Sequence, residues 1–164
     1  TAQAACGGSP WASTFLDTFR YLNQNAALAQ RGLKVIMHNT LAASDYALID
    51  RDTMTPRPNY WGAVLWKRTM GAAVLASPRS PSPALRLYAH CLVGKPGGVA
   101  VLAINTGEAA QTLSLGGKAS QSCFVFLNII LMIPALPLAS YLAEGLLIIS
   151  IFSIAEDGIL SKPD

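Results

Sequence analysis

Gly32-Leu33-Lys34-Val35-Ile36-Met37-His38-Asn39 decides how the rest of this chain is read. Leu33–His38 is short, mostly apolar and β-branched at its centre, the pattern of a strand buried in a parallel sheet. Upstream of it, Trp11, Phe15, Phe19, Leu22, Ala26 and Ala29 recur at steps of four and three. That spacing predicts one apolar stripe along a helix that ends near Arg31. Ser9 is its expected N-cap, Pro10 its first residue and Gly32 its C-cap. Helix, glycine turn and buried strand make half of a βαβ unit.

Downstream, residues 39–58 read as one long loop carrying Asp45, Tyr46, Asp50, Arg51 and Asp52. Loops beyond about 12–15 residues without structure of their own are usually functional or disordered. Asn59 is the expected cap of a second helix, Tyr60 to Met70, stopped by Gly71. Pro78, Pro81 and Pro83 then mark a linker-like stretch. Leu85–Leu92 alternates, with Leu85, Leu87, Ala89 and Cys91 on one face and Arg86, Tyr88 and His90 on the other. The turn Gly94-Lys95-Pro96-Gly97-Gly98 leads into Val99–Asn105, and a second turn leads into Gln111–Leu115. Strands at this spacing predict an antiparallel meander of the β-sandwich type. Residues 1–71 thus read as α/β and residues 72–118 as all-β.

Composition excludes several classes of function. Of 164 residues 52% are apolar and 13% charged, against about 25% charged in ordinary soluble domains. Disorder needs many charges and few large apolar groups. Residues 1–118 hold 11 of the 12 Lys/Arg and five of the nine Asp/Glu, so they carry +6 and the remainder −3. The cations are scattered, with no run longer than Lys67-Arg68, so nucleic acid is not an expected partner. Three cysteines (Cys6, Cys91, Cys123) without C-x-x-C spacing give no disulfide framework, and His38 and His90 form no metal-binding pair. No cofactor and no metal is expected. The first residues, from Thr1, lack a basic n-region and an apolar h-region, and they look cut from a longer protein.

Residues 119–164 are a separate problem. Between 123 and 154 the one charge is Glu144. Asn128, Pro134, Pro137, Ser140, Glu144 and Gly145 divide that run into pieces of about ten residues, each too short to span a bilayer as a helix. Three readings are open: a helical hairpin in a membrane, a misplaced reading frame, and a buried apolar hairpin. In each, residues 123–154 are expected to be helical or irregular around the prolines, since proline cannot donate to a sheet ladder.

Five stretches carry a resemblance: A-A-C-G-G (4–8), T-F-L-D-T-F-R-Y-L-N-Q (14–24), R-G-L-K-V-I-M-H-N-T-L (31–41), S-D-Y-A-L-I-D (44–50) and R-P-N-Y-W-G-A-V-L-W-K-R-T-M-G (57–71). In order and gaps they resemble the heparanase-like β-glucuronidases, glycoside hydrolase family 79. The resemblance covers about 118 residues at most and weakens after Gly71. It implies an α/β fragment, the last helix-strand-helix part of a β/α barrel, followed by antiparallel strands of a sandwich and an atypical apolar tail. It also implies retaining hydrolysis of β-linked glucuronic acid, with one glutamate as nucleophile and one as acid/base. The nucleophile position would fall one residue before Thr1 and the acid/base far upstream, so the chain alone is expected to be inactive.

Four residues are expected at the substrate, a glucuronic-acid-containing carbohydrate. The resemblance implies that Gly7 and Gly8 bring backbone N–H groups to the sugar carboxylate, and a glycine turn allows such an approach. It implies that the Tyr46 hydroxyl meets the same carboxylate; Asn39, just past the expected strand end, is expected to hydrogen-bond the sugar, where the family usually has a longer amide or another polar group. Gly7, Gly8 and Tyr46 are expected to converge near the end of Leu33–His38. Asp45 and Asp50 look like an acid/base pair, but Asp in a loop more often bonds its own backbone. His38 reads as structural and Cys6 as an unactivated thiol. The competing functional readings are a non-catalytic carbohydrate-binding or structural β module, and a membrane-associated protein acting through residues 123–154. The residues leave the compartment open, and for a parent protein an extracellular or periplasmic setting is expected.

Overall fold

The computed structural model describes residues 11–12, 14–107, 111, 119–120 and 149–154. The chain forms two compact units, residues 1–68 and 69–164.

In the first unit, helix α1 spans Phe15–Gln30 and helix α2 spans Pro58–Thr69. Phe19, Leu22 and Ala26 are buried on α1, as the apolar stripe requires. Trp11 is not part of the helix. It lies in a turn whose carbonyl accepts the Thr14 hydroxyl at 2.5 Å. The expected cap at Ser9 lies outside the described residues. At the other end Gly32 takes φ +85°, the left-handed region that glycine enters without a Cβ penalty. Its N–H donates to Ala29 and the Leu33 N–H to Leu28, each at 3.0 Å, closing the last helical carbonyls in a Schellman motif.

Leu33–His38 does not form the expected strand. It is irregular and makes no strand pairing among the described residues, and Leu33, Val35 and Met37 are 48%, 65% and 80% exposed. A strand of a parallel sheet is held by neighbours on its edges, and within the described residues none lies alongside. Asn59 also departs from expectation. It sits inside α2 and is buried, with its Nδ2 donating to the Asp17 carboxylate of α1. Asp17 is fully buried and also accepts Arg20 Nε at 2.6 Å. The side chain that a local rule assigns to a helix end instead ties two helices together.

The second unit is an antiparallel sheet of order β1-β2-β3-β5-β4. Its strands are β1 Met70–Leu75, β2 Leu85–Leu92, β3 Val99–Asn105, β4 Ala119–Ser120 and β5 Ile149–Ile154. Strands β2 and β3 occur where alternation predicts them, in register from Leu85 opposite Asn105 to Cys91 opposite Val99. The 94–98 turn closes this hairpin, with the Leu92 N–H on the Gly98 carbonyl at 2.7 Å. On one face Leu85, Leu87 and Ala103 form one apolar cluster, and Ala89 and Val101 form a second with Leu75 and Val99. Tyr88 and His90, on the face predicted to be the more polar, are buried as well.

Strand β1 was not expected, because Met70 and Gly71 read as a helix end. It pairs with β2 through an irregularity between Met70 and Val74. Gly71 permits it: a Cβ there would stand 2.5 Å from the Cys91 carbonyl oxygen. The His90 ring closes the gap, its Nδ1–H donating to the Gly71 carbonyl at 2.8 Å.

The apolar tail is corrected in part. Ile149–Ile154 pairs antiparallel with β3 from Ile104 opposite Ile149 to Val99 opposite Ile154. This segment is therefore a strand and not helix or irregular chain. Pro134 and Pro137 lie upstream of it in sequence. Residues 121–148 and 155–164 of the tail and the expected strand after Gln111 lie outside the described residues. Among the described residues, no helix is long and apolar enough to cross a membrane.

Candidate functional site

Residues 39–57 have structure of their own. The Leu48 and Ile49 N–H groups donate back to Thr40 and Leu41, at 3.2 and 2.9 Å. Further on, the Asp50 N–H reaches Thr55 and the Arg57 N–H reaches Leu48, both at 2.9 Å, around an isolated bridge between Ile49 and Pro56. The loop folds against itself as a double-backed tongue.

Tyr46 sits at its centre and is 4% exposed. His38 Nε2 lies 2.9 Å from the Tyr46 carbonyl oxygen. A carbonyl only accepts, so Nε2 carries the proton. The Tyr21 ring of α1 meets the His38 ring edge-on, with centroids 5.2 Å apart. Burial pushes the His38 pKa down, with the bond to Tyr46 opposing it. His38 is thus a neutral strut beneath the Tyr46 loop, in keeping with its structural reading. Asn39 follows it directly and is exposed. The structure therefore brings Tyr46 and Asn39 to the same end of the 33–38 segment. Gly7 and Gly8 lie outside the described residues, and so does their expected approach to Tyr46.

Asp50 is consumed by the loop. Its Oδ1 accepts the Asp52 N–H at 3.1 Å and both the N–H and hydroxyl of Thr53 at 2.9 Å, while Oδ2 accepts Arg57 Nη2 at 2.8 Å. The Thr53 backbone N–H first, and then the Arg57 guanidinium, hold this carboxyl well below the usual carboxylate range. Such a group does not donate a proton near neutral pH. This is the self-bonding loop aspartate that the sequence favours over an acid/base partner for Asp45.

Arg57 was not singled out from the sequence. Its Nη1 donates to the Ser44 carbonyl at 2.8 Å and to that of Asp45, while Nη2 holds Asp50. The available signal was charge: a cation between two prolines, seven residues after an aspartate in a loop that must be closed. The Asp17–Arg20–Asn59 bridge was equally hidden. Among the described residues, no three His, Cys, Asp or Glu side chains are grouped to share a metal ion.

No family model matches the chain. Curated relatives do. Heparanase-like protein 1 of Arabidopsis thaliana is 42% identical over 99 residues, 60% of this chain and 18% of the relative. Baicalin-beta-D-glucuronidase of Scutellaria baicalensis is 35% identical over 104 residues, 63% of this chain and 20% of the relative. Heparanase of Gallus gallus is 32% identical over 124 residues, 70% of this chain and 24% of the relative. The chain therefore spans about a fifth of the length of the curated relatives it matches. Over about three fifths of its own residues, the chain resembles the heparanases and heparanase-like glucuronidases.

Proposed function

We propose that the chain is part of a retaining glycoside hydrolase acting on β-linked glucuronic acid, and that it supplies part of the sugar-carboxylate site. One observation carries the reading. Tyr46, which matches the family position for this role, is a buried tyrosine fixed from below by His38 in a self-bonded loop. Its hydroxyl would donate to the carboxylate, Asn39 would bond the sugar, and Gly7-Gly8 would add backbone N–H groups. Hydrogen bonds to a carboxylate are stronger than neutral ones when the donor is held in place.

In this reading residues 1–71 are the C-terminal part of a β/α-barrel domain and residues 72–118 the start of a β-sandwich. The edges of residues 33–38 are then where neighbouring barrel strands would pair, and the exposed Leu33, Val35 and Met37 would be covered by other parts of the barrel. Retaining chemistry needs two carboxyl groups about 5–5.5 Å apart. In this reading the family's two glutamates lie outside residues 1–164, and Asp50 is engaged by Arg57 and Thr53.

The test pairs binding with turnover. The 164-residue chain should bind phenyl β-D-glucuronide more tightly than phenyl β-D-glucoside, which lacks the carboxylate. Tyr46→Phe should reduce the preference tenfold or more, since hydrogen bonds to charged groups contribute about 1.5–3 kcal/mol. Release of chromophore from an aryl β-glucuronide should not exceed buffer. Equal binding of both sugars, or turnover abolished by Asp45→Asn, would overturn the proposal.

A further inference from the structure

We infer that Arg57 is a positioning residue that fixes Tyr46 for its ligand, an inference resting on the carboxylate-binding reading of Tyr46. Three observations meet here. Arg57 donates to the carbonyls of Ser44 and Asp45, the two residues immediately before Tyr46. The same guanidinium grips Asp50, whose other oxygen gathers Asp52 and Thr53, so both ends of the loop are held by one planar group. From the opposite side His38 bonds the Tyr46 carbonyl. Tyr46 therefore lies between two clamps, and neither clamp uses its phenol group.

The chemistry of the clamp is specific to arginine. A guanidinium presents five N–H donors in a rigid fork and can serve two carbonyls and a carboxylate together. A lysine ammonium is a point charge on a flexible stem and cannot span the same three acceptors with fixed geometry. Three of those five N–H donors are engaged by the loop itself, so Arg57 acts on a sugar carboxylate through Tyr46. The loop reaches the ligand already ordered, which lowers the ordering cost of binding.

The test uses the 164-residue chain and its Arg57→Ala and Arg57→Lys variants, with amide hydrogen exchange and a phenyl β-D-glucuronide titration as readouts. Exchange at Ala47, Leu48 and Ile49 should rise tenfold or more in Arg57→Ala, with the Leu22 and Ala26 amides of α1 unchanged. Millimolar methylguanidinium should reverse the change, and Arg57→Lys should not. Glucuronide affinity should fall about tenfold in Arg57→Ala, and adding Tyr46→Phe should cost little more. Unchanged loop exchange, acceleration spread equally over α1, or full rescue by lysine would overturn the inference. If the unaltered chain and Tyr46→Phe bind the probe alike while the loop exchange responds as stated, the ligand reading fails and with it the positioning role, leaving only a loop clamp.

Discussion

Leu33–His38 and strand β3, Val99–Asn105, carry the same kind of side chain and end in opposite environments. Val101 and Leu102 are 0% and 1% exposed, whereas Val35 is 65% exposed. Propensity does not separate them, since both are rich in β-branched and aliphatic residues. Partners do. Strand β3 has β2 on one edge and β5 on the other, so its backbone groups are paired and its faces covered. Residues 33–38 have no strand beside them among the described residues. A hydrophobic run specifies that it can be buried; what it is buried against comes from elsewhere in the fold.

The largest expected effect tests that contrast directly. Leu102→Ala should destabilise the chain by about 2–5 kcal/mol, the usual range for truncating a fully buried leucine. Val35→Ala should change stability by no more than about 0.5 kcal/mol, as substitutions at exposed positions do. Urea unfolding followed by circular dichroism measures both. A Val35→Ala loss above about 1.5 kcal/mol would show residues 33–38 packed like β3 and erase the contrast, since burying a valine contributes on that order.

Two glycines sharpen the comparison, because one backs the sheet and the other precedes residues 33–38. Gly71→Ala would push a methyl carbon onto the Cys91 carbonyl oxygen, 2.5 Å away, and a backbone atom yields little. Overpacking of this kind costs about 1–3 kcal/mol. At Gly32 a Cβ meets nothing within 4 Å, and the cost comes from φ +85° alone. A left-handed alanine costs about 1–2 kcal/mol. Gly32→Asn should recover part of that loss and Gly71→Asn none, since asparagine tolerates this conformation but not the clash. Equal rescue at both positions would show that β1 is not held against β2 as described.

The same contrast explains what the residues disclosed in advance. Features set by local geometry were legible: the Gly32 cap, the alternation of β2, the 94–98 turn and the helix around Tyr60–Thr69. Features set by distant partners were not. Asn59 looked like a cap because capping is a local rule, while its partner Asp17 lies 42 residues away in sequence. Met70–Leu75 looked like a helix end and linker because glycine and alanine carry little β signal, and β2 recruits it regardless. Ile149–Ile154 was concealed inside an apolar run whose prolines lie upstream. At the candidate site, Tyr46 is singled out through resemblance alone. Arg57 is not, because its principal acceptors are backbone carbonyls, which every residue has.

The smallest expected effect is on pH, and it compares one histidine from each unit. His38 donates to the Tyr46 carbonyl and His90 to the Gly71 carbonyl, so each neutral ring keeps its proton on the bonded nitrogen. Burial pushes both pKa values below the ordinary 6.5, against the raising influence of those bonds. Protonating His38 also adds an N–H at Nδ1, which is buried with no acceptor among the described residues. In the unfolded chain both rings take up a proton near pH 6.5. The folded chain binds it only at lower pH, so their contribution to stability is complete above about 6.5 and falls as pH drops from there toward the folded pKa values. Asp50 adds nothing in this window, because its carboxyl is ionised in both states until pH nears the ordinary carboxylate range. Proton NMR of the two ring C2–H signals should show both midpoints below 6.5, and urea midpoints should decline from pH 7 to pH 5.5. Replacing His38 with glutamine, which can still donate to the Tyr46 carbonyl, should flatten part of that decline. A His38 midpoint at or above 6.5 would mean a solvated ring, and the strut beneath Tyr46 would have to be abandoned.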